Sequence, residues 1–73
     1  PMVIIKLQRL LDKRDMSQRE LSRRTGIRIG TIGQYCNNTI KRLNKDDIDK
    51  ICIVLKCEIN ELFEFTQGEE DPG

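Results

Sequence analysis

The segment 17–38, SQRELSRRTGIRIGTIGQYCNN, carries a strong signal for a helix start and, shortly after it, a strong signal for a helix stop. Ser17 followed by Glu20 matches a capping box, in which the hydroxyl accepts a hydrogen bond from the backbone N–H three residues on and the carboxylate reaches back. Gly26 ends this helix, because glycine suits the left-handed conformation just past a helix C-terminus, and the apolar Ile27 suits a tight turn. The segment therefore predicts two short helices joined by a glycine turn, the second at about 29–36.

Apolar spacing predicts three further helices and no strand. A first amphipathic helix is expected at about 4–14, where apolar residues recur three and four positions apart. Asn44 is expected to cap another helix, with Asp46 and Asp47 in its first turn, and a short final helix is expected at about 59–65. These elements predict an all-α fold, a compact five-helix domain, around a core of Leu7, Leu11, Leu21, Ile27, Ile32, Tyr35, Leu43, Ile48, Ile51, Leu55, Ile59 and Leu62.

The length limits the architecture and the kind of site. With 73 residues the chain forms one domain, which buries only about 60–65% of the surface of its unfolded chain and has no room for a deep substrate cavity. We assign residues 1–65 to this domain and the acidic segment 66–73, which ends in Pro-Gly, to a tail that is expected to be disordered. A surface function is therefore favoured over an enzymatic one.

Charge is divided unevenly along the chain, although the formal net charge is only +1. Residues 1–45 contain eleven Lys and Arg against three Asp and Glu, a balance of +8, whereas residues 46–73 contain two against nine, a balance of −7. The basic half includes the two-helix segment, so its field would concentrate near phosphates, while the acidic half would be turned away or used elsewhere.

The cysteines and the lack of histidine limit the chemistry. Cys36, Cys52 and Cys57 cannot all pair within one chain and are interpreted as small core residues. Without histidine or a close cysteine pair, no metal and no other cofactor is expected, and no nucleophile elbow or phosphate loop indicates an enzyme. No stretch is long enough for a signal peptide or a membrane span, so a cytoplasmic location is expected.

Eight residues in order give the chain a resemblance to a known family. The pattern Ser/Thr-Gln-x-Glu-Leu-Ala, then Gly-Ile/Leu-Ser, then Thr/Ser-Ile is matched by Ser17, Gln18, Glu20, Leu21, Gly26, Ile27, Thr31 and Ile32. Over about 4–65 the chain resembles the helix-turn-helix domain of the Xre family, which includes the lambda-type phage repressors and Cro. The resemblance implies a lambda-repressor-like fold and a sequence-specific DNA-binding transcriptional regulator, with repression as the family default.

The same resemblance implies a set of DNA contacts. The helix at about 29–36 would enter the major groove, where Gln34 could bond an adenine edge, Arg28 a guanine or a phosphate, and Ile29 could pack on a thymine methyl. Gln18 would face a phosphate at the start of its helix. Asn37 and Asn38 would lie over the DNA backbone, and Lys41 and Arg42 would clamp the flanking strand. The full set of expected DNA-binding residues is Gln18, Arg28, Ile29, Gly30, Thr31, Gln34, Asn37, Asn38, Lys41 and Arg42.

The chain departs from the family pattern on the reading helix itself. Arg28 replaces the usual capping Ser, and the helix contains Gly30 and Gly33, each of which costs about 1 kcal/mol of helix stability relative to alanine. Gly30 also removes a side chain that the family often uses to read a base, so base readout is expected to be sparse and to depend on close backbone approach or DNA shape. Ser22, in place of the usual Ala, is expected to pack without consequence.

The expected partner is double-stranded DNA carrying an inverted repeat, bound by a homodimer whose reading helices lie about one DNA turn apart. Phe63 and Phe65 are candidate dimer contacts, with the core as their other possible location. The alternative function is a protein-interaction module, antitoxin-like or a co-regulator, in which the acidic half binds a basic protein. The two functions can coexist, and affinity for duplex DNA at low salt separates them.

Overall fold

The computed structural model describes residues 2–66, which form five helices and a two-stranded sheet. The prediction of a compact five-helix domain is confirmed. In chain order the elements are β1 (Met2–Ile5), α1 (Leu7–Lys13), α2 (Gln18–Thr25), α3 (Ile29–Asn37), α4 (Lys45–Leu55), α5 (Ile59–Leu62) and β2 (Phe63–Thr66).

The sheet corrects the expected helix boundaries at both ends of the domain. The helices expected at 4–14 and 59–65 are shorter, and the flanking residues instead pair antiparallel, from Met2 opposite Thr66 to Ile5 opposite Phe63. These segments are rich in β-branched and aromatic residues, which favour a pleated, half-buried surface. Thr66 is thus the last residue of β2 rather than the first of the tail, and the rest of the expected tail lies outside the described residues.

The helix stop at Gly26 is confirmed, and the capping box is confirmed for its Ser17 half only. The Ser17 hydroxyl accepts a hydrogen bond from the backbone N–H of Glu20 at 3.0 Å, and Gly26 adopts the left-handed conformation with φ of 80°. The Glu20 carboxylate was expected to accept a hydrogen bond from the Ser17 backbone N–H. It instead forms ion pairs with Arg23 at 2.6 Å and Arg24 at 2.7 Å. Hydrogen bonds from the two guanidinium groups lower the pKa of Glu20.

Three other helices end on left-handed residues that are not glycine: Asp15, Asn38 and Lys56. At each end a backbone N–H bonds a carbonyl five residues earlier, as in a Schellman turn, from Met16 to Leu11, from Thr39 to Gln34 and from Cys57 to Cys52. Asn and Asp adopt this conformation more readily than most residues, whereas at Lys56 it costs about 1–2 kcal/mol, which the hydrogen bonds of the turn help to offset.

The last of these turns explains two of the cysteines. This turn brings Cys52 and Cys57 together, although they are five positions apart in the sequence. The two form the apolar pair that accompanies a Schellman turn. Burial raises the pKa of Cys36 to about 11, and burial together with the neighbouring Cys52 raises the pKa of Cys57 to about 11. All three thiols are free, and their positions match the interpretation as structural residues.

The core lies between the helices and the inner end of the sheet. Tyr35 is fully buried at its centre, and its hydroxyl accepts a hydrogen bond from the backbone N–H of Asn44 at 3.2 Å. Leu43 and Ile59, both expected in the core, are exposed, because Leu43 lies in the irregular link before α4 and the single turn of α5 directs only Leu62 inward. The buried apolar residues are Ile5, Leu7, Leu10, Leu11, Leu21, Ile27, Ile32, Tyr35, Cys36, Ile48, Ile51, Leu55 and Leu62.

Candidate DNA interface

The turn between α2 and α3 is held by two hydroxyl groups. Ser22 donates to the Ile27 carbonyl at 2.5 Å, and Thr25 accepts from the Ile27 backbone N–H at 3.1 Å while it donates to the Leu21 carbonyl at 2.8 Å. Ile27 itself is buried beneath the turn. The expectation that Ser22 packs without consequence is therefore wrong, since its hydroxyl satisfies a backbone group that alanine would leave without this partner.

The helix α3 has one buried face and one open face. Ile32, Tyr35 and Cys36 point into the core. The side of α3 that the sequence assigned to DNA is open: Arg28, Ile29, Gly30, Gln34 and Asn37 are exposed and Thr31 is half-buried. Ile29 leaves 49% of its surface exposed on this side of α3, which is compatible with packing on a base methyl group.

The two glycines of α3 differ in their surroundings. A Cβ at Gly30 would meet nothing within 4 Å, whereas a Cβ at Gly33 would lie 3.7 Å from Oε1 of Gln18, an ordinary contact. Gly30 therefore leaves a flat area on the open face, and Gly33 lies where α3 passes the start of α2.

Replacing Gly30 by alanine should stabilise the fold by about 0.5–1 kcal/mol, because alanine has the higher helix propensity and the site has room for its methyl group. Urea denaturation followed by circular dichroism would measure the change. Gly33→Ala is the matched control and should gain no more than Gly30→Ala, since its methyl group must fit beside Gln18. A loss of stability in Gly30→Ala would contradict the open site.

Gln18 is linked to α1 by a chain of side-chain amides. Its Nε2 donates to Oε1 of Gln8 at 2.9 Å, and Nε2 of Gln8 donates to Oδ1 of Asp12 at 2.9 Å. The chain sets the direction of the Gln18 amide and leaves one of its two N–H groups for another acceptor. Sequence reasoning missed Gln8, although its spacing of four residues from Asp12 on α1 is typical of a helical Gln–Asp pair.

Asn38 is exposed, but its side-chain amide forms hydrogen bonds within the protein. Its Oδ1 accepts from the backbone N–H of Ile5 at 2.7 Å, and its Nδ2 donates to the Ile5 carbonyl at 3.0 Å. The structure therefore separates the two asparagines that the sequence grouped: Asn37 is exposed at the end of α3, whereas the Asn38 amide is joined to β1.

The basic side chains near α3 differ in availability. Arg23 and Arg24 are paired with Glu20, whereas no ion pair within residues 2–66 engages Arg28, Lys41 or Arg42. Lys41 and Arg42 are exposed in the link between α3 and α4. In the part of the chain that the structure describes, no helix is long and apolar enough to cross a membrane, and no three His, Cys, Asp or Glu side chains gather as metal ligands.

The sequence is similar to those of known proteins. A family model described as a Cro/C1-type HTH DNA-binding domain matches residues 6–68. The chain belongs to this family. The Cro/C1-type match spans all five helices, and a Bacillus subtilis (strain 168) protein named as an uncharacterized HTH-type transcriptional regulator, YozG, is 32% identical over 71 residues, covering 97% of this chain and 83% of the relative.

Proposed function

We propose that this chain is a sequence-specific DNA-binding transcriptional regulator, acting as a repressor, that inserts α3 into the major groove. The observation that carries the proposal is the exposed face of α3 in a Cro/C1-type domain, where Arg28, Ile29 and Gln34 are exposed. The turn before α3 is held by hydrogen bonds of the Ser22 and Thr25 hydroxyl groups. A rigid helix with unpartnered polar and cationic side chains supplies both base contacts and phosphate contacts.

The residues have separate roles in this proposal. Gln34 reads an adenine edge, Arg28 takes a guanine or a phosphate, and Ile29 packs on a thymine methyl. At Gly30 and Thr31 the backbone approaches the DNA closely. Gln18 donates its remaining amide N–H to a phosphate, and Asn37, Lys41 and Arg42 contact the backbone of the flanking strand.

The proposed regulator binds as a homodimer through the outer end of the two-stranded sheet. Phe65 is 60% exposed and lies opposite Val3, which is 54% exposed, so the two form an apolar pair without cover. Phe63 is half-buried against the core and is the weaker candidate for this contact. Exposed apolar surface of this kind supports a protein contact, and a two-fold dimer matches an inverted repeat.

Selection of bound sequences from a random duplex pool at low salt would test the proposal, with Phe65→Ser as the matched variant. We expect the wild type to enrich an inverted repeat and Phe65→Ser to enrich single half-sites more weakly, because the variant keeps α3 and loses the dimer contact. Enrichment of half-sites by both proteins would contradict the dimer. If neither protein enriched any sequence, DNA reading would be wrong and the protein-interaction module would be favoured.

A further inference from the structure

Asn38 joins the end of α3 to the β arm, the name used here for β1 and β2 together. Asn38 follows α3 in the left-handed conformation, with φ of 60°, and its side chain lies against Ile5, which is 33 positions away in the sequence. One amide pairs with both backbone groups of one residue, at 2.7 and 3.0 Å. This is the pair of hydrogen bonds that a neighbouring strand would make.

The Asn38 amide occupies the edge of β1 that faces away from β2. The backbone N–H of Lys6 donates to the Leu62 carbonyl at 2.7 Å, so alternate residues from Lys6 turn their backbone groups toward β2. Ile5 therefore turns its N–H and C=O to the opposite edge, where the Asn38 amide satisfies both. The inner end of β1 is thus hydrogen-bonded on one edge to β2 and on the other to the end of α3.

The proposed dimer contact lies on the same short arm. Val3, the partner of Phe65, is two residues from Ile5 on β1. A short, hydrogen-bonded path therefore connects the end of the reading helix to the surface where a second copy would dock. Without the Asn38 bonds, the β arm would be held against the helices by the apolar contacts of Ile5 and Phe63.

We infer that Asn38 is a positioning residue that sets the angle between α3 and the β arm, and thereby the half-site spacing that the dimer accepts. This inference rests on the proposed function. In this scheme Asn38 makes no phosphate contact, because its amide oxygen and one amide N–H are bonded to Ile5. The phosphate contact at the end of α3 falls to Asn37, which is also exposed.

Asn38→Gly tests the inference, because glycine keeps the left-handed backbone and removes both bonds to Ile5. Affinity would be measured for one half-site and for inverted repeats with several spacer lengths, each over a range of salt. We expect unchanged half-site affinity, a loss of roughly three- to tenfold at the preferred spacer, a weaker preference among spacers, and an unchanged salt slope.

Asn37→Ala is the matched control and should lower affinity for the half-site and for every repeat by a similar factor, with the spacer preference and the salt slope unchanged, because a neutral amide that contacts a phosphate releases no counterion. Asn38→Asp, which keeps the acceptor for the Ile5 N–H and loses the donor to its carbonyl, should also weaken the spacer preference and guards against a folding defect in Asn38→Gly. A lower half-site affinity of Asn38→Gly with an unchanged spacer preference would overturn the inference, as would wild-type behaviour of both Asn38 variants. Failure of the wild type to bind any duplex would instead overturn the proposed function, and the inference with it.

Discussion

Replacing Arg28 and Gln34 together by alanine should lower the affinity for the selected duplex by roughly a hundredfold or more, because each good base contact contributes about 1–3 kcal/mol. Both side chains are exposed, and neither has a hydrogen bond or an ion pair within residues 2–66, so their loss removes the proposed DNA contacts without disturbing the fold. Titration of labelled duplex at one fixed salt concentration would measure the loss.

Two comparisons make this result specific. Arg23→Ala removes one positive charge from a guanidinium that is already paired with Glu20, and we expect a much smaller loss of affinity. The melting temperature of the Arg28 and Gln34 double variant should match that of the wild type. Unchanged affinity in a folded double variant would show that α3 does not read the DNA.

The single variants separate base reading from phosphate binding. Gln34→Ala should relax the sequence preference at one base pair and leave the salt slope unchanged, because an amide releases no counterion. Arg28→Ala should either relax the preference at a guanine or weaken binding to all sequences and reduce the salt slope by about one. The Arg28 result decides between its two proposed contacts.

The parts of the fold that were predictable from sequence depend on neighbours within one helical turn or one tight turn. The Ser17 cap and the Gly26 turn are local, and the apolar spacing of α3 marked Ile32 and Tyr35 as buried and Gln34 as exposed. The exposed face of α3 and the turn before it could be predicted from sequence for the same reason.

The β arm and the role of Asn38 were not predictable in this way. Met2 pairs with Thr66, and Asn38 with Ile5, so each contact depends on segments that only the folded domain brings together. Two local signals conflict at the start of the chain: Ile4 continues the helical spacing of α1, whereas the β-branched residues at 3–5 favour a strand. Only pairing with β2 decides between the two. The left-handed helix ends at Asp15 and Lys56 were also not predicted, because neither position has the glycine that indicated the end of α2 at Gly26.

Leu21→Ala should destabilise the domain by about 2–5 kcal/mol, because a fully buried leucine leaves a cavity in addition to its lost burial. A domain of 73 residues has a free energy of unfolding of only about 4–11 kcal/mol, so the loss takes a large share of the total. Thermal unfolding should show a melting temperature lower by about 10–30 °C, or no folded baseline at all.

Ile53→Ala is the matched control, since it also shortens an aliphatic side chain on a helix but at a position that is 73% exposed. We expect its melting temperature to stay within a few degrees of the wild type, because surface substitutions usually change stability by about 0.5 kcal/mol or less. Equal losses in the two variants would mean that Leu21 does not lie in a packed core. A large loss in Leu21→Ala alone would show that the domain depends on the packing of α2 against its core, the same packing from which the glycine turn leads to α3.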